Sequence, residues 1–446
     1  TEYDQDLYGN VTQERRLGRL DTTADDRVVR RGYYPNTEDY IVGLKGWESL
    51  SELVDGVTTY RAKLRVYYDA AVSYTNPPTA GDIARLYRWN DQTDTWVYRS
   101  YAYDDAGNRI RSADETGNIA DPNRRTDIAY DTTWKLFPLT ETTPANDFDV
   151  RLVTTRTWKK RCGKPETVTD PNGAVTTTDY DGFCRIKNVE KPLGDYEHWS
   201  YDDDAVNGWT ARVVNPAPTG QTTELFTETL FDGLGRPVKV TKSGPSTTQA
   251  IIVDTGWDGR GNKASETVPR YAPSTGIRTR TFLFDPLARP IAVIEPDGAT
   301  TSTAYGLSPE ALGVVAVTVT DPNGNVAVTH ADAFGRDIRR DRILDATHTA
   351  TTRITRDVMG RVTGIVDPIG AVWSNGWDSL GRRLTATDPD LGTWVYTYDA
   401  AGRLKTQTDS RGNRVDLDYD NLGRLLTRTV TPSGGTAEVT RSVWDE

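Results

Sequence analysis

Ten aspartates stand in one recurring phrase, and paired carboxylates are the groups with which a glycoside hydrolase protonates a leaving group and activates water or attacks. They are Asp104, Asp181, Asp232, Asp258, Asp285, Asp332, Asp357, Asp378, Asp399 and Asp420. The phrase runs aromatic or polar, Asp, two variable residues, Gly or a substitute, then Arg or Asn. Its clearest copies are WDSLGR from Trp377, YDAAGR from Tyr398 and YDNLGR from Tyr419. An aspartate repeated in the same local phrase has a local duty at every copy, so no catalytic pair is assigned. The other candidates are sparse. His198, His330 and His348 have no metal-like spacing to each other or to Cys162 and Cys184, and read as surface or strand histidines. Asp202, Asp204 and Asn207 loosely resemble a calcium loop, but Val213 stands where its acidic ligand belongs, so they read as a solvated turn. No phosphate loop, dinucleotide fingerprint or GxSxG elbow occurs. No catalytic, cofactor or metal residue is assigned.

The elements that position these residues follow from the residues between them. In Ala386 to Arg403, a turn signal at Asp388-Pro389-Asp390 precedes an alternation of Trp394, Tyr396 and Tyr398 with Val395 and Thr397. Thr-rich and aromatic alternation is a strand signal. Asp starts a turn by bonding nearby amides, and Gly closes it with a positive φ. DxxGR is therefore a hairpin tip, with the Arg holding the Asp or packing on an aromatic. Gly381, Gly402 and Gly423 should need positive φ, whereas the adjacent Ser379 and Ala400 should tolerate change. A second turn signal, such as TDPNG at Thr169 and Thr320, closes the other end of the unit. Asp357, Asp378, Asp399 and Asp420 are spaced by twenty-one residues. That is room for two strands and two turns but not for a helix of ordinary length as well. The expected fold is an all-β antiparallel meander of hairpins, without a long helix.

The chain has 446 residues and a net charge of −11, with the charges scattered and no basic stripe. This argues against nucleic acid as a main partner. No long apolar run suggests membrane insertion by this segment. Cys184 takes the Gly slot in DGFCR, and Cys162 lies nearly one repeat upstream. Neighbouring strands could bring the two into a disulfide, or they are two small apolar residues in packed positions. The Trp and Tyr residues read as the packed face of the sheet, or as a surface for sugar or a polypeptide client. Both ends look like cuts through a sheet, which predicts exposed edges and self-association.

The phrase YDxxGR with DPxG between copies resembles the RHS, or YD, repeat over roughly residues 161–446. That family includes bacterial RHS toxins, the B and C components of insecticidal toxin complexes, and teneurins. Residues 1–160 resemble the middle region of toxin-complex B components in YGNVTQE from Tyr8, DDRVVRRGYYPNTEDYIVGL from Asp25 and IAYDTTWKLFP from Ile128. The resemblance implies that the meander winds into a curved or hollow shell continuous across both parts. It implies a secreted or cell-surface, non-enzymatic segment that encloses a C-terminal toxin polypeptide. The implied partners are the rest of the parent toxin and a pore-forming subunit. The RHS-core signature that carries the family's self-cleaving aspartates is not found here, so no protease role carries over. The alternative is a YD-repeat adhesion or carbohydrate-binding protein.

Overall fold

The period-two runs become strands. The computed structural model describes residues 1–17, 26–54, 57–69, 71–115, 117–203, 208–217, 224–246, 249–273, 276–308 and 314–444. Thirty-six strands follow one another, and the only helical pieces among the described residues are two short 3₁₀ turns, Pro122–Arg124 and Pro192–Gly194. Pairing is antiparallel between chain neighbours. Gly392–Tyr398 pairs with Leu404–Thr408, which pairs with Arg414–Tyr419, which pairs with Leu425–Thr431. The strand Gln249–Trp257 forks, pairing with both Lys263–Thr267 and Arg270–Tyr271. The protein is an all-β antiparallel meander.

One local construction makes the tips. At Asp399 the Asp amide donates to the Arg403 carbonyl at 3.0 Å, and the Gly402 amide donates to the Asp399 carbonyl at 3.1 Å. Gly402 has φ +86°. This is a type I turn closed by a left-handed residue, and the ladder register shifts by one residue between Thr397 and Tyr398. Gly381 and Gly423 have φ +83° and +84°. The DPxG turns at the other end use the same construction: the Gly324 amide donates to the Asp321 carbonyl at 3.0 Å. The two turn signals are one device used twice.

The register sorts side chains onto two unlike faces. In Val362–Thr431, Thr387 opposes Thr393, Thr397 opposes Thr406 and Asp416 opposes Thr429 on one face. Hydroxyls bond across it, Thr387 to Thr393 at 3.0 Å and Thr397 to Thr406 at 2.6 Å. On the other face Ile365 opposes Trp373, Ala386 opposes Trp394 and Tyr396 opposes Gln407. Each cross-strand pair of this kind contributes a few tenths to about 1 kcal/mol.

The chain forms two compact units. The first comprises Thr1–Val153, Gly306–Ala316 and Val328–Glu446, and the second Thr154–Tyr305 and Val317–Ala327. In the first unit the N-terminal strands lie against the last repeats. Val29, Val66, Tyr68, Ala113, Ala145, Val314 and Val358 are fully buried there. In the second unit Thr267 is the only fully buried residue among the described ones. The first unit has a thin core made by layering, and the second stands on its ladder hydrogen bonds and cross-strand contacts.

Candidate functional site: the hairpin tips

Each tip aspartate is fully engaged by its own turn. Oδ1 of Asp378 accepts the amides of Leu380 and Arg382, and Oδ2 accepts Nε of Arg382 at 2.6 Å. Asp181, Asp232, Asp285, Asp332, Asp357 and Asp420 repeat this pattern with their own arginines. At Asp399 the Arg403 amide and guanidinium do the same. Where Asn replaces Arg, its side-chain amide takes over: Asn108 donates to Asp104 and Asn262 to Asp258. The amide and guanidinium of Arg236 hold the Asp232 carboxyl below the usual carboxylate range, and the Asn262 side chain and amide do so for Asp258. A carboxylate with all its lone pairs held by fixed donors is an anchor, a poor starting point for proton transfer.

The tips are also linked along the sheet. The Arg403 guanidinium donates to the Asp420 carbonyl at 2.8 Å and lies 5.0 Å from the centre of the Tyr419 ring. The Tyr419 hydroxyl donates back to the Leu404 carbonyl at 2.9 Å. Tyr398 and Tyr180 reach back in the same way, to Arg383 and Pro165. Arg after the tip therefore both holds its Asp and stacks on the next aromatic, the latter contributing about 0.5–1 kcal/mol at a half-exposed site. The recurring phrase is a ladder whose rungs bond forward and backward.

In the first unit, alternate tips dock on the N-terminal strands. The Ser379 amide donates to Asp91 Oδ1 at 2.8 Å, its hydroxyl donates to the Trp89 carbonyl at 2.6 Å, and the Asp91 amide donates to Ser379 Oγ at 3.0 Å. Two tips on, Asn421 donates to the Ala145 carbonyl at 3.1 Å and accepts from Arg124 at 2.6 Å. Arg424 approaches Asp147 at 3.9 Å. Two tips before Ser379, Phe334 lies between guanidiniums, Arg27 at 4.9 Å and Arg336 at 4.7 Å. Asp332, Asp378 and Asp420 are fully buried as a result. The strand ends at 27, 90 and 145 thus meet the tips at 332, 378 and 420.

This arrangement resembles proteins of known kind. Residues 398–436 match the RHS Repeat family. An RHS repeat stands at residues 398–436. No curated protein matches it by sequence. Its fold is similar to the crystal structure of TcdB2-TccC3, with TM-score 0.78 and 13% identity over 94% of this chain. It is also similar to a mutant Tc holotoxin pore of Photorhabdus luminescens, with TM-score 0.78 and 12% identity over 99% of this chain. The chain spans 28% and 32% of those chains, respectively. At such identities the likeness shows the fold.

The hairpin tips also place residues that the sequence left open or misjudged. Cys162 and Cys184 are disulfide-bonded, with Cα atoms 5.4 Å apart. Cys184 has φ +62° in the Gly slot, and Ala288 has φ +61° in the same slot of FDPLAR. Ser379 was expected to tolerate change; instead it is buried and makes three hydrogen bonds to the strand end at 89–91, while Ala400 is exposed. His198 and His348 lie at the surface, but His330 is buried between Ser308, 3.1 Å from Nδ1, and Asp341, 3.0 Å from Nε2. Asp341 also accepts from Arg339 and Thr351. Burial raises the Asp341 pKa, but these donors outweigh it and hold the carboxyl low. With Asp341 fixed by three partners, the trio ties strands Val326–Ala331 and Asp337–Ile343 to the residue after Thr300–Leu307. Asp204 and Asn207 lie outside the described residues. Among the described residues no group of three or more His, Cys, Asp or Glu could hold a metal, and no helix is long and apolar enough to cross a membrane.

Proposed function

We propose that the chain is a wall segment of an RHS-repeat toxin, enclosing a C-terminal toxin or effector polypeptide and performing no catalysis itself. The observation that carries this reading is the engagement of every recurring aspartate in hairpin construction, in a sheet whose second unit has a single fully buried residue among the described ones. Such a sheet is a surface to be lined, and a polypeptide client is its natural occupant. The fold likeness to toxin-complex structures supports the same reading. On it, residues 1–160 and 161–446 work as one wall. The partners are the rest of the parent toxin, the enclosed polypeptide and a pore-forming subunit, outside the producing cell or at its surface. The test is protease protection in the full-length parent polypeptide. An enclosed segment resists digestion until the repeats unfold. Digestion of that segment at the rate of the same free polypeptide rejects the enclosure.

One feature favours a second reading, carbohydrate binding in adhesion. Trp373, Trp394 and Tyr396 line an open cavity of about 400 Å³ with Arg383, Asp388 and Gln407. Aromatic faces beside fixed polar groups suit sugar rings. Glycan-array binding that is lost on Trp394→Ala replaces the enclosure reading with this one.

A further inference from the structure

The third residue of the tip phrase separates two populations of RHS hairpins. In the second unit it is apolar and bare: Phe183 is 80% exposed, Leu234 79% and Leu287 74%. In the first unit the corresponding Phe334, Leu380 and Leu422 are half-buried, because their tips meet the N-terminal strand ends. Large apolar side chains this exposed are unremarkable singly. Here they recur at one position of a repeat, where Phe334, Leu380 and Leu422 are half-buried and Met359 is 37% exposed.

The spacing agrees as well. Strands lie about 4.8 Å apart, so successive tips along one sheet edge are separated by about 10 Å and alternate tips by about 20 Å. The tips at 332, 378 and 420 carry the long-range contacts; of the two between them, the one at 357 buries its second residue, Val358, whereas Ala400 at the one at 399 is exposed. Of the bare apolar tips, those at 181 and 232 have the strands Tyr196–Asp202 and Trp209–Asn215 between them, and those at 232 and 285 have the tip at Asp258 between them. Arg260, at the third position of that tip, is exposed.

We infer that Phe183, Leu234 and Leu287 form a docking edge for a polypeptide outside these 446 residues, one that presents acidic β-hairpin turns. The occupied row states the chemistry. Tips are received by an aspartate (Asp91, and Asp147 beside Arg424) and by free carbonyls of a strand end (Trp89, Ala145). The bare row offers the complementary groups: a backbone amide at the second position of two tips (Gly182 and Gly233, whereas Pro286 has none), the apolar third residue and the arginines Arg185, Arg236 and Arg289. The strand ends of this chain at 27, 90 and 145 are engaged on the tips at 332, 378 and 420. The inference does not depend on what the wall encloses.

The test places a photo-cross-linking phenylalanine analogue at Leu234 or Leu287 in the full-length polypeptide as its host produces it, with Ile369, 90% exposed at a turn of the first unit, as control. The expected result is a cross-link yield at least severalfold above the control, mapping by mass spectrometry to an Asp-bearing turn between strands outside residues 1–446. A yield equal to the control, or adducts on a glycan, a lipid or a second copy of this chain, overturns the inference. A companion variant carrying Phe183→Ser, Leu234→Ser and Leu287→Ser should keep its own unfolding midpoint, because exposed positions contribute little to folding. It should lose the cross-linked partner from the purified assembly. Retention of that partner by the folded variant also overturns the inference.

Discussion

The same hairpin phrase has two fates in this molecule. In Val328–Glu446 every second tip is received by the N-terminal strands, and its aspartate is fully buried. In Thr154–Tyr305 the same Asp, with Gly, Cys184 or Ala288 in the left-handed slot and Arg or Asn262 after it, builds the same turn, but no described residue covers it. Its hydrogen bonds within the turn are the same in both places. The difference lies in the second tip residue and in the partner it finds: Ser379 and Asn421 carry side chains that bond across to another strand end, while Gly182, Gly233 and Pro286 stand at that position in the bare tips. The construction of a turn is therefore local, and its docking depends on its variable residues (Ser379 and Asn421 at the second position, Phe334 at the third, with Ala333 beside it exposed) and on a strand far away in sequence.

The sharpest way to break this comparison is to remove equivalent aspartates. The Asp378 side chain is fully buried against Arg382, and removing one partner of a buried, hydrogen-bonded pair costs about 3–5 kcal/mol. Asp378→Ala should lower chemical-denaturation stability by that amount, and Asp232→Ala, at an exposed tip, by clearly less. Equal losses would show that covering adds nothing to the turn. Within the second unit, the disulfide closes a loop with a sequence separation of 22 residues. Cys162→Ser should therefore cost about 3 kcal/mol, the chain-entropy value for a loop of this size. A shift confined to a few tenths would mean that the neighbouring hairpins already hold the two ends together.

Smaller effects refine the contrast. Ser379→Ala leaves the part-buried Asp91 amide without its acceptor, a loss of about 1 kcal/mol, whereas Ala400→Ser should be neutral. Matching midpoints for the two variants would remove the docking contact as a source of stability. Gly402→Val should destabilise by about 1 kcal/mol or more at φ +86°. The reverse exchange, Ala288→Gly at φ +61°, should stabilise by up to about 1 kcal/mol, and a loss there would contradict the left-handed slot. Acid should unfold the covered layer through Asp131. Burial pushes its carboxyl up, but the amides of Trp134, Phe137, Leu136 and Thr133 prevail and lower it from 3.8 to about 2. A depressed folded-state pKa gives stability that is complete above the unfolded value and is lost as pH falls. Asp131→Asn should flatten the decline between about pH 4 and pH 2, followed by circular dichroism.

The turns were legible in the sequence because their determinants are local. Asp399, Gly402 and Arg403 sit within five residues of one another and interact with one another. Strand faces were legible from the alternation of Thr with Trp and Tyr. Docking was not, because Ser379 finds Asp91 at a separation of 288 residues, and the strands that supply Asp91 and Ala145 lack the repeating phrase. Ser379 and Ala400 occupy the same position of the same phrase, and nothing in the phrase says which will be covered. His330 was hidden for a related reason. Its partners are Ser308, just past the end of Thr300–Leu307, and Asp341 in the next strand, at 22 and 11 residues' distance, a spacing that the repeating phrase does not encode. The disulfide stood between: the Gly slot taken by Cys184 marked the site, and the register of adjacent hairpins supplied the pairing.

Amide hydrogen exchange at the second tip residue tests the docking contrast most directly. The Ser379 amide donates to Asp91, whereas the equivalent amides of Ala400 and Gly233 belong to uncovered tips. Ser379 should exchange at least about tenfold more slowly than either, the factor that about 1.4 kcal/mol of added protection supplies. Asp91→Ala should bring it to their rate while leaving theirs unchanged. Equal exchange at all three amides in the unsubstituted protein would contradict the separation of docked from bare tips.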